Sequence, residues 1–215
     1  MNDFSTNRRA MVDSQLRTSG VMAPAVIAAM STLARENFVP ALLHSTAYMD
    51  RGIPLCAGRM LNPPLATGLM LQEAAVRAND RILIIGAGTG YMAALLAGTG
   101  AKIFAIEQST ELMALAKVNL AGQDNVSLVD APLCAGDAHN APYSLILIDG
   151  AIEALPHIIM HQIEEGGRIV TGLAEGAVRR LAVGYKRGAS LTLRAFVDTE
   201  IAMLPGFAPA KEFVF

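Results

Sequence analysis

The chain has 215 residues, 53% hydrophobic and 17% charged, with a net charge of −2 at pH 7. That length supports a substantial core in one domain, and so apolar a composition excludes a disordered chain. Lys and Arg number 17 against 19 Asp and Glu, without a long basic run, so nucleic acid and anionic membrane surfaces, which select basic patches, are not expected as partners.

In chain order, residues 7 to about 45 read as helical. Met11, Val12 and Leu16 recur at near-helical spacing, Gly20 ends the first run, and Pro24 suits the first turn of the next. The opening "MNDFSTNRRAMVDSQLRTSG" carries no apolar core of a signal peptide, and no apolar run reaches the ~18 residues of a membrane span. Residues 49–64, "MDRGIPLCAGRMLNPP", hold Gly and Pro with little periodicity and predict an ordered loop. "LATGLMLQEAAVRA" then returns to helix.

From residue 81 the texture changes. "RILIIG", "KIFAIE", "VSLVD", "SLILIDG" and "GRIVTG" are short apolar runs, with helical stretches between them: "YMAALLAGTG", "STELMALAKVNLAG" and "EALPHIIMHQIEEGG". Such alternation predicts an α/β fold with a mostly parallel, doubly wound sheet. "RRLAVGYK" and "SLTLRAFV", joined by "RGAS", predict a C-terminal antiparallel hairpin. The whole chain is expected to form a single domain over residues 1–215. Within it, residues 1–78 form a helical N-terminal extension with the loop, and residues 79–215 form a Rossmann-like core.

In "RILIIGAGTGYMAALLA" the turn from strand to helix holds Gly86, Gly88 and Gly90. Glycines there offer bare amides at a positive helix terminus; a tight turn without a ligand is the alternative. Glu107 ends the next apolar run 21 residues after Gly86, where a carboxylate can accept both hydroxyls of a ribose. Asp130 and Asp149 end the third and fourth runs, on the crevice side of such a sheet. The dinucleotide pattern GxGxxG needs Gly at position 91, which is Tyr, so a NAD-dependent dehydrogenase ranks second. The spacing resembles the first motif of the S-adenosylmethionine-dependent methyltransferases.

A narrower resemblance lies upstream. "MVDSQLRTSGV", "RENFVP", "YMDRGIPL" and "GRMLNPPLATGLMLQ" are similar in order and spacing to the protein-L-isoaspartate O-methyltransferases, and "NAPYSLILIDGAIEALPHIIMHQIEEGGRIV" continues the likeness. It covers roughly residues 8–172 and implies a class I methyltransferase fold, S-adenosyl-L-methionine as methyl donor, and isoaspartyl residues of damaged proteins as acceptors. It implies Gly86, Gly88 and Gly90 at the methionine end of the donor, Glu107 at the ribose, and Asp130 at the adenine amino group. Leu61 and Gln108 would also line the donor. The loop would close over the acceptor, with Asn62 as the catalytic residue orienting it. An ionised carboxylate acceptor needs no general base, only alignment.

Departures from the family pattern are visible. Asn62 stands where the family carries Ser, Thr67 where it carries His, and Ile85 where it carries an acid; its G-D-G after the third strand is missing. A methyltransferase with another acceptor and a non-catalytic binding module therefore stay open beside the first reading.

Other features carry plainer readings. His157 and His161 at helical spacing lack a third ligand, so no metal is expected. Tyr91 either packs on the cofactor or covers the sheet. Most methionines are core filler. Cys56 and Cys134, without a CxxC pair, read as free thiols of a cytoplasmic protein. A monomer is expected, since no interface stripe is evident.

Overall fold

The structure, a computed structural model, describes residues 3–208. Helix α1 (Phe4–Met11) starts where the Asp3 carboxylate accepts the Ser5 and Thr6 amides, both at 3.1 Å. The chain continues through a π turn (Val12–Leu16) and a 3-10 turn to Gly20, whose φ of +92° stops it. Pro24 opens α2 (Pro24–Thr32). The expected helical region then breaks into two 3-10 turns, Arg35–Phe38 and Ala41–Thr46, separated by an extended Val39 before Pro40.

Within the loop, β1 (Ile53–Pro54) and β2 (Met60–Leu61) form a small antiparallel hairpin, Ile53 opposite Leu61. Helix α3 (Pro64–Ala74) leads to the main sheet. Its elements are β3 (Arg81–Ile85), α4 (Tyr91–Ala97), β4 (Lys102–Glu107), α5 (Thr110–Asn119), β5 (Val126–Asp130) and β6 (Tyr143–Ile152). After them come α6 (His157–Met160), β7 (Ile163–Glu175), β8 (Val178–Arg187) and β9 (Ser190–Asp198).

The strands lie in the order β5-β4-β3-β6-β7-β8-β9. The first five are parallel, and β7, β8 and β9 run as an antiparallel meander, so the expected hairpin extends one edge. Alternation along β3 feeds both faces: Ile82 and Ile84 pack toward α3 and α4, while Leu83 and Ile85 join Leu133, Tyr143, Ile159 and Phe207. Both faces are covered by buried apolar side chains, which is why the parallel strands read as continuous apolar runs.

One expected helix is corrected. Residues 153–167 give only the single turn α6, and β7 already begins at Ile163. The Tyr143 amide donates to the Gln162 carbonyl at 2.8 Å, drawing the chain into the sheet, and Gly166 and Gly167 are poor helix formers. Non-local pairing outweighs the local apolar period.

The chain leaves β3 toward β4 on one side and enters β6 on the other, so a crevice opens at the carboxyl ends of these strands. Residues 199–207 run back across it as a strap. The Ala151 amide donates to the Ala202 carbonyl at 2.7 Å, and the Leu204 amide donates to the Ala151 carbonyl at 2.9 Å.

Candidate active site

Three left-handed residues shape the turn after β3: Gly86 (φ +86°), Gly88 (+57°) and Gly90 (+92°). The expectation of bare amides is corrected. Gly86 and Ala87 both donate to the Ile106 carbonyl, Gly90 donates to Ala87, and Gly88 donates to Glu107 Oε2 at 2.8 Å. What the glycines provide is close approach. A Cβ on Gly86 would lie 2.8 Å from Leu204 Cδ1 and 3.0 Å from Arg59 Nη2.

Glu107 ends β4 fully buried. Its Oε1 accepts the Gln108 and Ser109 amides at 3.0 and 3.1 Å, and the Gly88 amide binds Oε2. Arg59 Nη1 lies 3.0 Å from both oxygens, and its Nη2 donates to the Gly86 carbonyl at 3.3 Å. At 6% exposure the guanidinium is inside the protein, so this is a buried ion pair.

Asn62 follows β2 and is 1% exposed. Its Nδ2 donates to Asp149 Oδ1 at 2.7 Å, and its Oδ1 accepts the Ala202 amide at 2.8 Å. One side chain thereby ties the loop to β6 and to the strap. Below it, the buried Arg35 donates through Nη2 to the Asn62 carbonyl at 2.6 Å and through Nε to the Ala47 carbonyl at 2.7 Å. Burial raises the pKa of Asp149 above the ordinary carboxylate value; the Asn62 hydrogen bond and the nearby cations of Arg59 and Arg35 pull the other way without cancelling it.

The other sequence-predicted residues divide. Leu61 is buried opposite Ile53, and Gln108 is exposed beside Glu107, its Oε1 accepting the Leu133 amide at 3.3 Å. Asp130 pairs in register with Glu107 but is exposed, beside a hollow lined by Thr110, Met113, Lys117 and Leu128. Tyr91 covers the sheet: it is buried, with the Arg35 guanidinium 4.7 Å above its ring and Phe38 edge-on. His157 and His161 are exposed, and among the described residues no group of three His, Cys, Asp or Glu could hold a metal. Cys56 and Cys134 are free thiols.

Sequence reasoning missed Arg59 and the strap. Alternation over Arg59–Leu61, which begins one residue before β2, offered a signal for the former: Arg59 and Leu61 are buried and Met60 between them is less so. Leu204 gave none, since only the long-range fold brings it to Gly86.

Comparison with known proteins decides the family. The protein-L-isoaspartate(D-aspartate) O-methyltransferase (PCMT) family matches residues 6–202. This chain belongs to that family. A protein-L-isoaspartate O-methyltransferase of Koribacter versatilis is 35% identical over 216 residues, covering 98% of this chain and 97% of the relative. One from Methylorubrum populi is 38% identical over 168 residues, covering 76% and 77%. In fold, the chain is similar to a Plasmodium falciparum PCMT structure in complex with S-adenosyl-L-homocysteine, with a TM-score of 0.78, 14% identity, and coverage of 95% and 99%. The residues of this PCMT-family chain that were read as departures, Asn62, Thr67 and Ile85, are all buried. Asn62 and Thr67 line up on the buried side of the loop and α3, and Ile85 is core.

Proposed function

We propose that this protein is an S-adenosylmethionine-dependent methyltransferase that esterifies the carboxylate of L-isoaspartyl residues in damaged proteins. The observation that carries this is the family match over residues 6–202, joined to a buried carboxylate, Glu107, beside a glycine-rich turn at the switch point of the sheet. Those residues fit the donor chemically. A carboxylate at the end of β4 can accept a ribose diol, and Gly86 and Gly88 let a bulky ligand approach the backbone. Seating it requires Arg59 and Leu204 to give way, since both stand over Gly86.

When bound, the donor supplies an activated methyl group. The chain's own contribution is positioning. The acceptor carboxylate is ionised near pH 7, so no base is needed, and alignment can supply on the order of 7–11 kcal/mol at best. An amide nitrogen carries two N–H groups, and Asn62 gives one to Asp149. The second is the donor we assign to the acceptor oxygen, in the role that the Ser hydroxyl would fill. The Arg35 anchor on the Asn62 carbonyl holds that backbone still. Gln108, Leu61 and Asp130 are proposed to border the adenosyl group, Gln108 being nearest to Glu107 in the chain.

The hydrophobic cluster running from Met11 to Ile201 supports reading residues 1–215 as one domain, the N-terminal helices packing on the Rossmann-like sheet. Among the described residues no helix is long and apolar enough to cross a membrane. Unpaired thiols support a cytoplasmic setting, and the low basic content supports a protein rather than nucleic-acid partner. We propose a monomer.

Transfer of tritiated methyl from labelled S-adenosylmethionine to an isoaspartyl peptide, and not to its aspartyl counterpart, tests the reading. Donor binding without any transfer to the peptide contradicts the acceptor half.

A further inference from the structure

The Glu107 carboxylate has no acceptor capacity to spare. An ionised carboxylate offers about four lone-pair sites. The backbone amides of Gly88, Gln108 and Ser109 make three contacts and Arg59 Nη1, forked across both oxygens, makes two more, the same number that a diol would make in its place. A ribose diol brings two further O–H donors to the same two oxygens. The three amides are fixed by the strand and turn that carry them, so the group that can leave is Arg59.

Arg59 is placed to do so. It sits at the end of the hairpin tip Cys56–Arg59, where the Arg59 amide donates to the Cys56 carbonyl at 3.0 Å and the Leu55 amide to the Arg59 carbonyl at 2.9 Å. Ala57 and Gly58 in that tip are both left-handed, φ +54° and +68°, and a β-carbon-bearing residue in that region stores strain. Outward movement of the tip returns the guanidinium to water. Movement without a ligand is opposed, because it would leave the carboxylate of Glu107 buried and without its cation.

We propose that Arg59 is a latch: in the ligand-free protein it occupies the ribose-recognition carboxylate and the space over Gly86, and an adenosyl ligand binds by exchanging its ribose hydroxyls for the guanidinium. This rests on the cofactor assignment above. The apparent affinity of such a site is the intrinsic affinity reduced by the fraction of molecules already open. Removing the cation therefore tightens binding, whereas a guanidinium that held the ligand directly would weaken it on removal.

Calorimetric titration of S-adenosylhomocysteine into the wild-type protein, Arg59→Gln and Arg59→Ala tests this, with amide hydrogen exchange of residues 55–61 followed in the ligand-free proteins. Arg59→Gln keeps a polar side chain of similar reach and guards against loss of fold in Arg59→Ala; a thermal melt of each confirms the fold. Both variants are expected to bind roughly tenfold tighter, as an open fraction of about one in ten gives, and to exchange residues 55–61 faster. Equal or weaker binding by the variants, with wild-type binding intact, overturns the latch and leaves the cofactor assignment standing. Binding by none of the three folded proteins overturns the cofactor assignment, and the latch with it.

Discussion

Asn62 Nδ2 and Asp149 Oδ1 meet at 2.7 Å across 87 residues of sequence, and the same Asn62 side chain accepts the Ala202 amide from the strap. Three segments that contribute to the crevice are thus joined through one amide. Asn is suited to this because it donates and accepts at once. Asn62→Ala leaves a half-buried carboxylate and a backbone amide without partners, at a cost of up to about 1–3 kcal/mol each in lost desolvation balance. Urea unfolding should show a lower midpoint, and kcat for an isoaspartyl peptide should fall at least about tenfold, while affinity for S-adenosylhomocysteine changes little. Asn62→Ser restores one donor and should recover part of kcat.

Asp149 has a raised pKa, caused first by burial. The sign follows from linkage: a folded value above the ordinary one of roughly 3.9 means that the native state holds the proton more tightly than the unfolded chain. Its contribution is fully present below about pH 3.9 and is lost as pH rises through the folded value. Asp149→Asn keeps an oxygen for Asn62 and removes the titration. Denaturation midpoints of the variant should decline less than wild type across that window; parallel pH profiles would contradict the assignment.

Asp80 behaves in the opposite sense. Burial alone would raise its carboxyl, but hydrogen bonds from Arg168 and Ser144 outweigh it and leave the pKa below the ordinary value. Its contribution is present above roughly pH 3.9 and is lost as pH falls through the folded value. Arg168 Nη2 meets Asp80 Oδ2 at 2.6 Å and also donates to the Ala75 carbonyl, while Nε donates to the Ala74 carbonyl, tying the end of α3 to the sheet. Arg168→Ala should lower stability by about 3–5 kcal/mol, because a buried carboxylate loses its cation. A double change with Asp80→Asn should cost less than the sum of the two.

Much of the fold was readable because the parallel strands are buried on both faces. Runs such as Arg81–Ile85 and Tyr143–Ile148 are apolar at nearly every position and bounded by turn residues. The stretch 153–167 was not readable, because its apolar spacing suits a helix while Tyr143 recruits Gln162 and Ile163 into pairing from a distance. At the site, the glycine spacing and Glu107 pointed to the crevice from local sequence alone. Arg59 and Leu204 reach it only through the tertiary fold, and the amides read as free are in fact used by Ile106, Ala87 and Glu107. Tyr91, ambiguous in sequence, is decided by Arg35 and Phe38 packing on its ring.

Arg35 carries a prediction of its own. It lies fully buried, holds the Ala47 and Asn62 carbonyls, and stacks over Tyr91. Lys cannot reproduce that planar fork. Arg35→Lys should cost roughly 1.5–3 kcal/mol for each charged hydrogen bond lost, read by urea unfolding. It should also speed hydrogen exchange at residues 61–63 more than at β3.

A crystal structure of the protein with S-adenosylhomocysteine bound would decide between an open and a closed Arg59–Glu107 pair. The ribose hydroxyls are expected on both Glu107 oxygens, the amino-acid end against Gly86–Gly90, and Arg59 moved off the carboxylate. A ligand lodged away from Glu107, or one seated there with the Arg59–Glu107 pair still closed, would contradict this placement.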